Sequence, residues 1–117
     1  MFNLAIIGLG KWGQTLVKSV QNKSKITKFT SVVSRNPEKI SKISKQLNLK
    51  TFKTVEDAIK NSKVDGIVMC TPHSTHEKDI INLSKFKKPI FVEKPLALNY
   101  LSAKKIINAC KKKKIIL

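Results

Sequence analysis

Leu4-Ala5-Ile6-Ile7-Gly8-Leu9-Gly10-Lys11-Trp12-Gly13 decides how this chain folds. A short apolar run ends in a G-x-G-x-x-G turn, and a helical pattern begins inside the turn. Strand, glycine turn and helix start in this order form the arrangement that receives the pyrophosphate of a dinucleotide. Gly8 turns the chain out of the strand, and Gly10 lets phosphate oxygens approach a backbone with no Cβ. Gly13 lets the new helix lie close to the sheet. The first N–H groups of that helix have no partner within it. The helix dipole is positive there, so an anion is favoured.

From this junction strand-like and helix-like segments alternate to the end of the chain. The first strand covers about Asn3–Ile7, and the first helix about Lys11–Val20, with Trp12, Leu16, Val17 and Val20 at helical spacing. Phe29–Val33 is a second strand. Asn36 and Pro37 open a helix that carries Ile40, Ile43 and Leu47. Thr51-Phe52-Lys53 is a short third strand, and Thr54-Val55-Glu56-Asp57 fits a capping box. Gly66-Ile67-Val68-Met69-Cys70 is an unbroken apolar run, as in a strand covered on both faces. Ser74-Thr75-His76-Glu77 is a second capping box. Pro89–Val92 is a fifth strand, Asn99 caps a last helix, and Ile115-Ile116-Leu117 begins a sixth strand. The pattern predicts an α/β, Rossmann-type three-layer fold. Its open parallel sheet has about six strands in the order 3-2-1-4-5-6, with helices on both faces.

The bulk numbers bound the reading. The 117 residues make one domain, residues 1–117, with a hydrophobic content of 41%. No apolar run approaches the ~20 residues that cross a bilayer, and the N-terminus does not read as a signal peptide, so a cytoplasmic protein without membrane contact is expected. Cys70 and Cys110 read as buried thiols. The net charge of +17 comes from 24 basic residues, all lysine except Arg35, spread along the chain. Nucleic-acid binders concentrate charge and use arginine for bidentate contacts. Solvated lysine faces therefore explain the charge better than a nucleic-acid surface. The diffuse positive field still attracts an anionic cofactor. His73 and His76 lack further ligands at suitable spacing, so no metal site is expected.

The tip of the second strand bears on cofactor choice. NAD-specific folds place Asp or Glu there to hold the ribose hydroxyls. Here the residues are Ser34-Arg35-Asn36. No carboxylate repels a 2′-phosphate, Ser34 donates a hydrogen bond, and Arg35 pairs with phosphate. NADP is expected over NAD, with a solvated arginine as the competing reading.

The fourth strand runs into Thr71-Pro72-His73-Ser74-Thr75-His76, and the fifth into Glu93-Lys94-Pro95. With Gly8-Leu9-Gly10-Lys11-Trp12-Gly13, these pieces resemble, in order and spacing, the N-terminal domain of the Gfo/Idh/MocA oxidoreductases (glucose–fructose oxidoreductase, inositol dehydrogenase and relatives). The resemblance covers essentially the whole chain, and Glu-Lys-Pro after a strand is its most specific part. It implies hydride transfer between a nicotinamide cofactor and a sugar- or polyol-like secondary alcohol. Gly8, Gly10, Lys11, Trp12, Gly13, Ser34, Arg35, Thr71, Pro72, His76, Glu93 and Lys94 would border the cofactor. Thr71 and Pro72 would lie by its diphosphate and ribose, and Glu93 would approach that ribose. Lys94 would face the nicotinamide and the substrate hydroxyl as the catalytic group. An ammonium in a pocket beside a cationic ring is suited to handling a proton. Trp12 is expected either to cover the pyrophosphate turn or to be a core aromatic. His76 is expected to cap or pack at its helix start, and Pro95 is a candidate cis proline. His73 departs from the family, which often has Asn there.

The resemblance also implies a second domain on a large antiparallel sheet, holding most of the substrate pocket and a dimer surface. Cofactor binding with little turnover is therefore the expectation for these residues alone. A homo-oligomer is compatible with this reading. A non-catalytic dinucleotide sensor or partner protein is the alternative.

Overall fold

The computed structural model describes all residues, Met1–Leu117. Five parallel strands form one sheet: β1 (Phe2–Ile7), β2 (Thr27–Val33), β3 (Lys50–Phe52), β4 (Gly66–Met69) and β5 (Ile90–Val92). Their order is β3-β2-β1-β4-β5. β1 lies between β2 and β4, with Ile6 opposite Val32 on one side and Val68 on the other. The helices are α1 (Lys11–Val20), α2 (Ser41–Gln46), α3 (Val55–Asn61), α4 (His76–Leu83) and α5 (Tyr100–Lys112).

Alternation along the strands, reset in β2 by one extra residue opposite the Leu4–Ala5 step, divides the interior in two. Ile6, Phe29, Val32 and Val68 point to the face that packs with Val17 of α1 and with Leu47 and Leu49. Ala5, Val33, Ile67, Met69 and Ile90 point to the other face, against Ala58, Ile80, Ile106 and Cys110 of α3, α4 and α5. A sheet covered on both sides needs apolar residues at successive positions, which accounts for the unbroken run in β4. Both cysteines are free thiols.

The sixth strand does not form. Ile115–Leu117 makes one ladder-like bond, from the Ile90 N–H to the Ile116 carbonyl at 2.9 Å, and pairs no further. Its chain direction is set by the end of α5. There Lys114 takes φ 56°, and the Ile115 N–H donates to the Cys110 carbonyl at 2.9 Å. This is the Schellman closure, with lysine in the position glycine usually takes.

Two expected caps are present. The Thr54 hydroxyl accepts from the Asp57 N–H at 3.1 Å, and the Asn99 side chain accepts from the Ser102 N–H at 2.9 Å. The other two are replaced by 3₁₀ turns at Pro37–Ile40 and His73–Thr75, neither with a side-chain cap bond. Within the second turn the Thr75 hydroxyl donates to the Pro72 carbonyl at 3.0 Å.

Candidate dinucleotide site

The carboxyl ends of β1, β2, β4 and β5 meet at one edge of the sheet, where the chain order reverses on either side of β1. Open α/β sheets bind ligands at such a point. The glycine turn occupies it. Gly8 has φ +91°, and a Cβ there would stand 2.7 Å from the Cys70 carbonyl oxygen. A Cβ on Gly13 would run into the Gly8 carbonyl oxygen. Gly10 differs from both: a Cβ there would meet nothing within 4 Å. The backbone at Gly10 therefore opens onto free space immediately before α1. The first turn of α1 carries no acidic residue. Its leading N–H groups present a positive end to whatever fills that space. The Gln14 side chain donates to the Leu9 carbonyl at 3.1 Å and braces the turn from within the helix.

Beside the turn lies a groove of about 780 Å³, lined among others by Gly8, Leu9, Ser34, Arg35, Thr71 and Pro72. The Ser34 N–H donates to the Phe52 carbonyl at 3.0 Å, which joins the tips of β2 and β3. The Ser34 hydroxyl accepts from the Asn36 N–H at 3.1 Å and keeps its own proton to donate. Three cations, Arg35, Lys53 and Lys85, share this lining with the acids Glu56 and Asp79. Glu56 is paired with Lys60 at 2.9 Å. The hydrogen bond and charge of Lys60 hold its carboxyl below the usual range. Lys53 and Lys85 were not legible as groove residues, because nothing local separates them from the other lysines.

The loop after β4 banks the groove through Thr71 and Pro72, whereas Lys11, Trp12, Glu93 and Lys94 lie outside its lining, at the neighbouring tips of α1 and β5. The Glu93 N–H donates to the Met69 carbonyl at 3.0 Å. The Trp12 indole N–H donates to the Glu93 carboxylate at 2.7 Å. Trp12 is 56% exposed, so it is not a core aromatic. Lys94 is exposed, forms no ion pair, and precedes Pro95 through a cis peptide. Burial, with the charge of Glu93 as a smaller cause, pushes the Cys70 thiol up, which keeps it protonated and unreactive. The Thr71 hydroxyl oxygen is buried without a partner.

His76 sits beneath this bank rather than in the groove lining. It is 1% exposed. Its Nδ1 lies 3.1 Å from the carbonyl oxygens of Pro95 and Leu96, and its Nε2 lies 3.1 Å from that of Thr71. The ring thus ties the loop after β4 to the loop that follows Lys94. Carbonyls only accept, so each bond needs a ring N–H, and a neutral imidazole supplies one side at a time. Replacing the ring by phenyl fills the volume and removes every donor. His76→Phe is expected to cost about 2–3 kcal/mol through buried carbonyls left unpaired, lowering the thermal midpoint by roughly 10 °C. His76→Gln, which restores a donor, should recover part of this. An unchanged midpoint for His76→Phe in calorimetry would show that the ring is only filling space.

A cradle of unpaired amides, open space at Gly10, an orphan hydroxyl at Thr71 and a cationic groove fit a dinucleotide. Comparison with known proteins agrees with that geometry. Residues 2–117 match the family described as "Oxidoreductase family, NAD-binding Rossmann fold", the Gfo/Idh/MocA group, and the chain belongs to it. It is 30% identical over 111 residues to the 2,7-anhydro-N-acetylneuraminate hydratase of Escherichia coli (strain K12), covering 95% of this chain and 29% of that protein. It is 26% identical over 115 residues to the myo-inositol 2-dehydrogenase of Thermotoga maritima, covering 97% and 34%. Among solved structures, the WlbA dehydrogenase from Bordetella pertussis, in complex with NADH and UDP-GlcNAcA, superposes with a TM-score of 0.87 at 18% identity. That match covers 97% of this chain and 35% of that one, and shows a shared fold. The chain spans about a third of the length of these relatives.

Proposed function

We propose that the chain binds NADP(H) in preference to NAD(H) across the strand tips. In this reading it serves as the cofactor half of a cytoplasmic oxidoreductase that moves a hydride between nicotinamide and a sugar- or polyol-like secondary alcohol. The observation that carries the reading is the open backbone at Gly10, set at the N-terminus of α1 beside the groove holding Ser34 and Arg35. The names of the relatives that act on inositol or bind a UDP-sugar support the substrate class.

The roles follow from the chemistry of each group. The amides of the Gly8–Gly13 turn hold the diphosphate, which their dipoles favour. Ser34 and Arg35 hold the 2′-phosphate, Arg35 through a charge-assisted bond. Thr71 and Pro72 border the diphosphate and ribose, and Glu93 accepts from a ribose hydroxyl. Lys94 carries the proton that accompanies hydride transfer. The cofactor supplies the hydride, and the protein supplies placement and field. A second domain completes the substrate pocket, so these residues alone bind cofactor with little turnover.

Titration with NADPH and NADH, followed by calorimetry, tests the reading. Arg35→Ala removes a charged hydrogen bond worth about 1.5–3 kcal/mol, so NADPH affinity should fall roughly ten- to a hundred-fold. NADH affinity should change little. Equal losses for the two ligands would take the 2′-phosphate away from Arg35. No binding of either would remove the dinucleotide reading altogether.

A further inference from the structure

The Trp12–Glu93 hydrogen bond joins the glycine turn to the β5 tip, 81 positions apart in sequence. Three observations make it more than a surface contact. First, folding does not account for it. Trp12 is 56% exposed, and an exposed hydrogen bond, exchanged against water, adds little to stability. Second, Glu93 takes a neutral partner although a cation, Lys94, adjoins it in sequence. Asp57 with Thr54 and Asp65 with the Asn3 N–H also take neutral partners, and only two of the seven acidic residues, Glu56 and Glu77, are ion-paired. Third, the bond uses one carboxylate oxygen, Oε2, and leaves Oε1 without a protein side-chain donor. An indole N–H donates only, so its partner must be an acceptor, and a carboxylate keeps acceptor capacity after taking it.

We propose that Trp12 is a positioning residue: its indole N–H fixes the Glu93 carboxylate so that the free oxygen faces a ribose hydroxyl of the dinucleotide before the ligand arrives. The inference rests on the dinucleotide reading above and names a device within that site. A carboxylate beside a diphosphate repels it, so Glu93 is suited to a neutral hydroxyl and not to the phosphates. Held by Trp12, the side chain has its rotamer set in advance, and the ligand does not bear the ordering cost. The indole thereby favours ligands that reach as far as the second ribose.

The test compares ligands that do and do not reach it. NADPH carries the second ribose; 2′,5′-ADP keeps the adenosine end and lacks that ribose. Calorimetry is used because Trp12 is the single tryptophan and its removal silences fluorescence. Trp12→Phe keeps a ring and deletes the donor. Its NADPH affinity should fall about three- to ten-fold, the cost of ordering a free side chain, with 2′,5′-ADP affinity unchanged. Glu93→Gln should weaken NADPH similarly, and the double variant should equal the worse single variant, since both changes break one device. In the free native protein the indole N–H resonance should shift on Glu93→Gln. Equal loss of both ligands in Trp12→Phe, or strict additivity in the double variant, would overturn the proposal and make the indole a cover for the turn. Native protein that binds NADPH normally while Trp12→Phe does the same overturns the device alone. Native protein that binds neither ligand overturns the dinucleotide reading with it.

Discussion

A Gly13→Ala chain should lose dinucleotide affinity by more than about a hundred-fold and melt roughly 10 °C lower, from an overpacking cost of about 3 kcal/mol. The added methyl would run into the Gly8 carbonyl oxygen, with Ile6 Cδ1 standing 3.5 Å away. Neither neighbour is free to give. Gly8 is itself pressed on the other side, where the Cys70 carbonyl oxygen is 2.7 Å from its Cβ direction, and Cys70 is tied to β1 through its N–H bond to the Ile7 carbonyl at 2.8 Å. Ile6 is fully buried between β2 and β4. Relief therefore requires α1 to lift from the sheet, which unpacks Val17 and re-aims the amides that face the ligand. Gly10→Ala isolates the second effect. Its methyl meets no protein atom. Losing glycine at the N-cap costs about 0.5–1 kcal/mol, and the stiffer unfolded chain returns about 0.4–1 kcal/mol. The melting temperature should therefore stay within about 4 °C of native, while dinucleotide affinity still falls. Scanning calorimetry and ligand titration on the two variants check both statements. A Gly10→Ala chain that binds normally would mean that the space at Gly10 is not where the phosphates sit.

The contrast between these two glycines shows what the sequence carries and what it does not. The G-x-G-x-x-G spacing was enough to set β1, the turn and α1, because each of those features is decided within a few residues. The parallel order of the strands followed from their alternation with helices. Caps at Thr54 and Asn99 were legible for the same local reason. The caps expected at Asn36 and Ser74 are absent, because a 3₁₀ turn precedes each of those helices and neither side chain reaches a cap N–H. The sixth strand was overcalled because Ile115-Ile116-Leu117 has strand chemistry, whereas a ladder needs length beyond the one bond those residues make. Contacts that join distant tips were not legible at all. The Trp12–Glu93 bond and the three carbonyls around His76 depend on how β4 and β5 end side by side. The groove cations Lys53 and Lys85 were hidden in a lysine-rich composition, and only the fold separates them from their solvated neighbours.

Lys94→Met carries the second large effect, and it can be read from binding before any turnover is measured. In the proposed function the Lys94 ammonium faces the nicotinamide. The oxidised ring is cationic and the reduced ring is neutral, so the ammonium repels one and not the other. Two unit charges about 5 Å apart at an effective permittivity of about 20 repel by roughly 3 kcal/mol. Lys94 is exposed and free of any ion pair, so solvent and salt reduce that figure to the order of a ten-fold affinity difference. The native chain should therefore bind NADPH more tightly than NADP⁺, and Lys94→Met should narrow the gap about ten-fold, mainly by improving the oxidised form. Adding salt should narrow it in the native chain and not in the variant. In a protein that carries the second domain, the same substitution should lower kcat by about 10²–10⁴, the contribution of a positioned proton donor or acceptor. Glu93 and Pro95 would remain to hold the strand tip, so affinity for NADPH itself should be nearly unchanged. A variant whose ratio of oxidised to reduced affinity equals that of the native chain would put the ammonium away from the nicotinamide, and the proton-handling role would go with it.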